Sequence, residues 1–348
     1  MTVFEISTIK IGKNHKPFII AEVAQNHDGS LGIAHSYVDA VAEAGADAIK
    51  FQTHIAEKES SKDDKFRVNF SYEDKTRYDY WKRMEFTTEQ WHGLYKHSIE
   101  RGLIFLSSPF SLEAAMLLDK IGCPAWKIGS GEVTNNNLID FIGKTQKPVL
   151  LSTGMSSYDE IDDTLNKISK SGNPYAILQC TSKYPTLVKD IGLNVLEEFI
   201  NKYNVPVGLS DHSGMVYPSL FAMACGASII EVHVTFHKSM FGPDMQSSLT
   251  FDELKFVVKG AEVIFLLNKY PVNKDKLAKE LDGMKKLFEK SLAVSKSLKK
   301  GAIIQKNMLR DLKPGTGIPV RDIEKIIGKR LSRDIEKNTI LNWEDINE

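Results

Sequence analysis

Short, nearly continuous apolar runs alternate along the chain with longer stretches whose apolar positions recur every three to four residues. The runs are 18-FIIAEVAQ, 48-AIKFQT, 103-LIFLSSP, 125-AWKIGS, 148-PVLLSTG, 176-AILQCT, 206-PVGLSDH and 229-IIEVHVT. Apolar runs of this length, rich in Val and Ile, read as strands buried on both faces. The stretches between them read as helices. After the first run, Ala34, Tyr37, Val38 and Val41 fall at i, i+3, i+4 and i+7, with Gly45 as a stop. Before the third, Trp91, Leu94, Tyr95 and Ile99 share a face behind Thr88, and Gly102 closes the segment. After the eighth, Leu254, Val257, Val258 and Ala261 repeat the spacing. Eight strand–helix units from Phe18 to about Leu267 occupy roughly the 250 residues of a (β/α)8 TIM barrel. A doubly wound open sheet is the alternative. It would announce a glycine-rich phosphate turn after its first strand, and the first turn here, AQNHDGS, does not match GxGxxG.

Two departures from the pattern organise the rest. The second and third runs start 55 residues apart, where the other spacings are 22 to 30. The surplus, 55-IAEKESSKDDKFRVNFSYEDKTRYDYWKRMEF, is charged and rich in aromatics from Phe70 to Trp81. It is expected as a long loop on the catalytic face, a lid or an interface. After Leu267 the chain turns polar and lysine-rich. The expected division is a catalytic barrel over 1–267, a linker with some helix over 268–290, and a small domain over 291–348. A domain that short is small for an independent core, so it should lean on its own barrel or on a partner.

Composition narrows the function classes. Lys+Arg and Asp+Glu are both 45, giving a formal net charge of +0. The chain therefore lacks the bulk positive field that nucleic-acid or anionic-membrane binding brings, and any anion site must be local. At 42% hydrophobic and 26% charged residues, wholesale disorder is excluded. No apolar stretch is long enough to predict a membrane span, and the first residues do not read as a secretory signal. Cys123, Cys180 and Cys225 are far apart and odd in number. That speaks against a disulfide framework or a cysteine zinc site and for a reducing, cytoplasmic setting.

In a (β/α)8 barrel the chemistry sits at the C-terminal ends of the strands. Read there, the runs give in turn Glu22; Lys50 and Gln52; Ser107 and Ser108; Lys127, Ser130 and Glu132; Ser152 and Thr153; Thr181, Ser182 and Tyr184; Ser210, Asp211 and His212; Glu231 and His233. Lysine is almost never fully buried unless paired, yet Lys50 and Lys127 lie inside apolar runs. One reading is a structural ion pair with Glu22 or Glu132. The other is an oxyanion cradle completed by Ser108, Ser130, Ser152 and Ser210, suited to a phosphate plus a carboxylate such as phosphoenolpyruvate carries. His212 and His233 end adjacent strands and can share one metal, with Mn²⁺, Zn²⁺ or Fe²⁺ acting as a Lewis acid. Asp211 and Glu231 are then expected to fix the imidazole tautomers. Asp244, in 241-FGPDMQSSLT, lies close to that metal candidate or forms a Pro-Asp turn. Asn26 and His27 serve turn chemistry or touch substrate, and His237 is expected at the surface.

The segments IIAEVAQNHDGS, GADAIKFQTH, IFLSSPFS, AWKIGSGE, PVLLSTGMSS, QCTSKYPT, VGLSDHS, IEVHVT, GPDMQSSLT and KPGTGI resemble the sialic acid synthase family, from about residue 18 to the end. This family includes the N-acetylneuraminate, legionaminate and pseudaminate synthases. The resemblance implies a transferase that condenses phosphoenolpyruvate with N-acetylmannosamine or a related 2-acetamido aldose to a nine-carbon 2-keto-3-deoxy acid, releasing phosphate by C–O cleavage. The alternatives are a legionaminic acid-type synthase using 2,4-diacetamido-2,4,6-trideoxymannose, a barrel for phosphorylated sugars, which would want arginines at the strand ends, and a non-catalytic sugar-binding barrel. The resemblance further implies that Lys50, Ser108, Lys127, Ser130, Ser152 and Ser210 hold phosphoenolpyruvate. It places His212 and His233 on a divalent metal, Mn²⁺ with Mg²⁺ or Co²⁺ as alternatives. Glu22, Gln52, Glu132, Tyr184 and Asp244 then handle reacting groups and sugar hydroxyls, with Glu22, Lys50, Glu132 and His233 as the catalytic set. Ser182 stands where some members have Asn, and Lys313 where many have an Arg that reaches the sugar across a dimer. GSGE and GPD look closer to the sialic and legionaminic branches than to the pseudaminic one. The terminal domain resembles the antifreeze-like (SAF, β-clip type) module, and a domain-swapped homodimer is implied.

Overall fold

A hairpin opens the chain. Strands β1 (Phe4–Ile6) and β2 (Ile9–Ile11) pair antiparallel, and Phe4, Ile6 and Ile11 are buried. The eight apolar runs then form eight strands: β3 (Phe18–Ala24), β4 (Ala48–Thr53), β5 (Ile104–Pro109), β6 (Trp126–Ile128), β7 (Val149–Ser152), β8 (Tyr175–Cys180), β9 (Val207–Asp211) and β10 (Ile229–Val234). They form one sheet in the order β5-β4-β3-β10-β9-β8-β7-β6, and β5 and β6 come together at the seam. Every pairing within that order is parallel. A two-residue strand, β11 (Ser248–Leu249), adds to β10. The barrel reading holds and the open-sheet alternative falls. The computed structural model describes residues 2–66 and 70–347, and among them no helix is long and apolar enough to cross a membrane.

The intervening helices are α1 (Leu31–Ala44), α2 (Ala56–Glu59), α3 (Arg77–Met84), α4 (Thr88–Glu100), α5 (Leu112–Ile121), α6 (Asn136–Lys144), α7 (Tyr158–Ser171), α8 (Leu193–Lys202), α9 (Tyr217–Ala224) and α10 (Phe251–Lys269). In α1, Ala34, Tyr37, Val38 and Val41 are all buried, Ser30 caps the N-terminus, and Gly45 ends the helix at φ 81° in the left-handed region. In α10, Leu254, Val257, Val258 and Ala261 face the core, as their spacing predicts. In α4, Trp91 and Leu94 do so too, but Ile99 is half exposed. Ser98 takes the inward place and donates its hydroxyl to the Leu94 carbonyl, the usual route by which a helical serine satisfies itself when buried.

Strand alternation separates two cores. Side chains pointing outward, such as Ile19, Ala21, Ile49, Phe51 and Phe105, pack against the helices. Those pointing inward at the lower end, among them Phe18, Ile20, Ala48, Leu106, Leu150, Ala176, Leu178 and Ile229, fill the barrel with Phe4, Ile6 and Ile11 of the hairpin. The hairpin is therefore a plug for the bottom of the barrel. Two residues further along each strand the inward position turns polar: Ile20 is followed by Glu22, Ala48 by Lys50, Leu106 by Ser108, Ala125 by Lys127, Leu150 by Ser152, Leu178 by Cys180, Gly208 by Ser210, and Ile229 by Glu231.

The surplus between β4 and α4 carries α2 and α3. Thr76 and Asp79 form a capping box on α3. Arg83 bonds Asp28 in the β3–α1 turn (Nη1–Oδ1, 2.6 Å) and Asp74 (Nη2–Oδ2, 2.8 Å). That clamp fixes α3 at the C-terminal end of the strands, where a lid or interface was expected. Residues 67–69 of this stretch lie outside the described residues.

The chain divides into compact units Met1–Tyr270 and Pro271–Glu348. Segment 268–290 contributes the end of α10 and two short helices, α11 (Lys274–Glu280) and α12 (Asp282–Phe288). In the second unit, β12 (Ser291–Val294) pairs antiparallel with β13 (Leu309–Leu312), and β14 (Arg330–Leu331) with β15 (Ile346–Asn347). Its core is small: Leu292, Val294, Ile304, Ile318, Ile326, Leu331, Ile335 and Leu341.

Candidate active site

The two lysines meet at the centre of the barrel mouth. Lys50 Nζ lies 2.6 Å from Glu22 Oε2 and 3.7 Å from Glu231 Oε1, and it donates to Ser108 Oγ at 3.2 Å. Lys127 Nζ lies 3.1 Å from Glu231 Oε1 and donates to Ser152 Oγ at 2.7 Å. Ser210 donates to the same Glu231 oxygen at 3.0 Å. Glu231 thus bridges both cations. All four charged side chains are buried. Glu132 touches neither lysine, which corrects one of the ion-pair expectations. It sits in the single 3-10 turn Ser130–Glu132 and accepts from Asn135 Nδ2 at 2.7 Å.

Electrostatics set the carboxyls apart. Burial pushes Glu22 well above the ordinary carboxylate value, Lys50 opposes this, and the neighbouring charge of Glu231 reinforces it. Glu231 is also buried, but Lys127 and Lys50 together hold it below the ordinary value. Burial raises Glu132 as well. It pushes Asp244 up to about 6, with His212 opposing. Carboxyls with such divergent environments, grouped at one mouth, are what acid–base division of labour needs.

Beyond Lys127 and Ser152, polar side chains pack closely around Gly154. Its N–H donates to Ser130 Oγ at 3.0 Å. A Cβ at Gly154 would lie 2.6 Å from Ser182 Oγ and 2.9 Å from both Cys180 Sγ and Ser130 Oγ. The missing side chain is therefore what lets Ser130, Cys180 and Ser182 pack this closely against the backbone. Ser108, Ser130, Ser152, Ser182 and Ser210 all come to the mouth, together with Cys180, which the strand-end reading passed over.

The histidines converge as their spacing predicts, with ring centroids 5.1 Å apart. His212 Nδ1 faces the Thr181 carbonyl at 3.0 Å. A carbonyl only accepts, so this nitrogen carries a proton, and Nε2 lies 3.1 Å from the Tyr184 hydroxyl. His233 Nδ1 is buried without a hydrogen-bond partner and lies 3.9 Å from Asp244 Oδ2. Asp244 makes no side-chain cap to the turn it begins, so its carboxylate is free to face the histidines. Among the described residues no group of three or more His, Cys, Asp or Glu side chains closes round one point. Two imidazoles, His212 through Nε2 and His233 with its orphaned Nδ1, fit a divalent ion whose remaining positions go to water or substrate oxygen.

The expected tautomer partners are corrected. Asp211 binds its own turn, accepting from Ser213 Oγ at 2.6 Å, and Glu231 serves the lysines. The Thr181 carbonyl does the work assigned to Asp211. It could have been found only from the turn after β8, because main-chain acceptors leave no trace in residue type. Asn26 bonds the Val234 carbonyl and Ser248, tying the β3–α1 turn to β10 and β11. His27 Nδ1 accepts from the Gly29 N–H, and His237 is exposed. Gln52 donates to Glu22 Oε1 at 3.0 Å. Lys313 is exposed in the second unit, its Nζ 5.2 Å from the Phe288 ring centre.

The NeuB family profile matches residues 37–272 and the SAF domain profile residues 289–347. The chain is 34% identical to a pseudaminic acid synthase of Campylobacter jejuni, over 95% of this chain and 96% of that protein. It is 33% identical to an N,N'-diacetyllegionaminic acid synthase of Legionella pneumophila, over 96% of each. An N-acetylneuraminic acid synthetase from Leptospira borgpetersenii, crystallised with citrate, superposes with a TM-score of 0.72 at 30% identity, covering 82% of this chain and 96% of that one. The barrel, the converging site and these near full-length relatives agree: the chain belongs to the NeuB family and carries a SAF domain at its C-terminal end.

Proposed function

We propose that the protein condenses phosphoenolpyruvate with the open-chain aldehyde of an unphosphorylated 2-acetamido aldose, giving a nine-carbon 2-keto-3-deoxy acid and phosphate. The observation that carries this is the pair of buried lysines, Lys50 and Lys127, held by Glu231 and backed by Ser108 and Ser152 at the barrel mouth. Together they offer cations and hydroxyls to a ligand with both a carboxylate and a phosphate. Ser130 and Ser182, packed against Gly154, add neutral donors at the edge of the mouth.

C3 of phosphoenolpyruvate bonds to the aldehyde carbon, water adds at C2, and the C2–O bond to phosphate breaks. Lys50 and Lys127 neutralise the anion through that sequence. Glu22, beside Lys50, steadies positive charge at C2, and Glu132 manages a proton or a sugar hydroxyl. Gln52, Tyr184 and Asp244 contact the aldose. His212 and His233 are the residues to hold a divalent cation, Mn²⁺ before Mg²⁺ or Co²⁺, which when bound supplies Lewis-acid polarisation of the aldehyde oxygen.

Two features favour an unphosphorylated sugar. No barrel strand carries an arginine, and Arg83, which reaches the mouth, is already taken by Asp28 and Asp74. N-acetylmannosamine and 2,4-diacetamido-2,4,6-trideoxymannose are the two leading substrates. The working unit is inferred to be a homodimer in which each SAF domain caps the partner's barrel with Lys313. Leu281, Met284, Leu287 and Phe288, all exposed, support it. The three free cysteines suit a cytoplasmic setting.

Phosphate release from phosphoenolpyruvate tests the reaction. It should require both an aldose of this panel and a divalent ion, and stop in chelator. A phosphorylated aldose giving the highest kcat/KM would refute the substrate. For the dimer, an inactive Lys127→Met chain is mixed with an inactive Lys313→Ala chain. Activity should partly return, and its absence after confirmed exchange would favour capping within one chain.

A further inference from the structure

His54 is buried one alternation beyond Gln52, where the strand pattern of Lys50 and Gln52 carries on past the end of β4. Its ring lies flat between two aromatics. Trp81 of α3 stacks on one face at 3.9 Å and 6°, and Phe110, just after β5, on the other at 4.4 Å and 12°. Nδ1 is 2.6 Å from Glu59 Oε1 in α2, and Nε2 is 3.3 Å from Gln52 Oε1. The other Glu59 oxygen accepts from the Ile55 N–H. Gln52 in turn donates from Nε2 to Glu22 Oε1, and Lys50 holds Glu22 Oε2.

The donor and acceptor roles along this line are mutually dependent. The Gln52 NH₂ group faces Glu22 and its carbonyl faces His54. If the Gln52 amide turned over, its carbonyl would face Glu22 and its NH₂ group would face His54. A hydrogen on His54 Nε2 favours the orientation seen, because the Gln52 carbonyl is the acceptor in front of it. Gln25 Nε2 lies 3.5 Å from the same Gln52 oxygen, at the limit of a hydrogen bond, so His54 is the stronger determinant of the amide's orientation.

We propose that His54 is a positioning residue for the aldose site: clamped by Trp81, Phe110 and Glu59, it fixes the Gln52 carboxamide with its NH₂ toward Glu22. This rests on the reading of Gln52 as an aldose contact. It also gives the insert between β4 and α4 a function, because Glu59 and Trp81 both belong to it. The insert reaches the chemistry through one imidazole.

His54→Phe keeps the stacked ring and removes both ring nitrogens. The expected result, measured with phosphoenolpyruvate and the best aldose of the panel, is a rise of about tenfold in the aldose KM. The KM for phosphoenolpyruvate and kcat should stay within about twofold. In a Gln52→Ala background the same change should have no further effect, because the amide it orients is gone. A separate readout is nitrogen NMR of the wild-type His54 ring, which should show Nε2 protonated. Glu59→Gln carries the kinetic test should His54→Phe fail to fold, with a smaller rise in the same KM. Equal effects of His54→Phe with and without Gln52 would overturn the proposal. So would an unchanged aldose KM where Gln52→Ala raises it. If the wild type turns over no aldose, the functional reading fails, and the ring decides the proposal alone: a His54 ring without a proton on Nε2 overturns it.

Discussion

The lower and upper halves of the barrel interior are built from the same eight strands, yet they obey opposite rules. Below, Phe18, Ile20, Leu106, Leu150 and Leu178 close on the hairpin plug with no polar group among them. Above, one alternation further along each strand, Glu22, Lys50, Lys127 and Glu231 are buried together, and Glu231 Oε2 and His233 Nδ1 have no hydrogen-bond partner. Buried charge without full satisfaction is costly, and replacing it with packed hydrocarbon is often stabilising. The lower layers hold the strands in register so that the upper ones can keep groups arranged for a ligand and not for stability.

That division is open to attack from both sides. The largest effect is expected at the top. His233→Ala should lower kcat/KM by about a thousandfold or more, with only a modest fall in thermal unfolding temperature, because an orphaned nitrogen is removed along with the ring's packing on His212 and Tyr184. A variant that keeps full turnover in chelator would break the assignment. Below, Ile20→Ala should cost about 2–5 kcal/mol in denaturant unfolding and leave the KM for phosphoenolpyruvate unchanged. A large KM change there would mean that the halves are not separable. At the edge of the cradle, Gly154→Ala puts a methyl among Ser130, Cys180 and Ser182. It should raise the KM for phosphoenolpyruvate about tenfold to a hundredfold with the aldose KM little altered.

The smallest effect concerns pH. Glu22 is raised by burial, so the folded protein holds its proton more tightly than the unfolded chain. Its contribution to stability is full below the ordinary carboxylate value and is lost as pH rises through the raised one. Glu231 is lowered by the lysines and works in the opposite sense below the ordinary value. Glu22→Gln should remove the decline between the ordinary value and neutrality, a change of about 2–4 °C in Tm. A wild-type Tm that climbs over that range, or a Glu22→Gln curve parallel to wild type, would contradict it.

The two halves were unequally legible in sequence. Apolar runs at even spacing revealed all eight strands, and the polar residue at the end of each revealed the site, because strand direction alone decides which end carries chemistry. What residue types cannot show is the partner at the far end of a side chain. Lys127 pairs with Glu231 and not Glu132, because β10 faces β6 across the barrel, a relation outside local spacing. Thr181 orients His212 through its carbonyl, which every residue has. Gly154 acts by lacking a side chain. Ile99 kept the helical period of α4 but lost the inward place to Ser98, whose hydroxyl found the Leu94 carbonyl. The plug was missed because β1 and β2 are three residues each, too short for a periodic signal.

The central claim is that the upper half is a preformed anion site centred on Lys127. Calorimetric titration of phosphoenolpyruvate into the wild type and into Lys127→Met tests it without needing the sugar. The account predicts one saturable site per chain in the wild type and a Kd weakened by about tenfold to a hundredfold in Lys127→Met, with the fold intact. An equal Kd in both proteins, or no binding by the wild type, would contradict it.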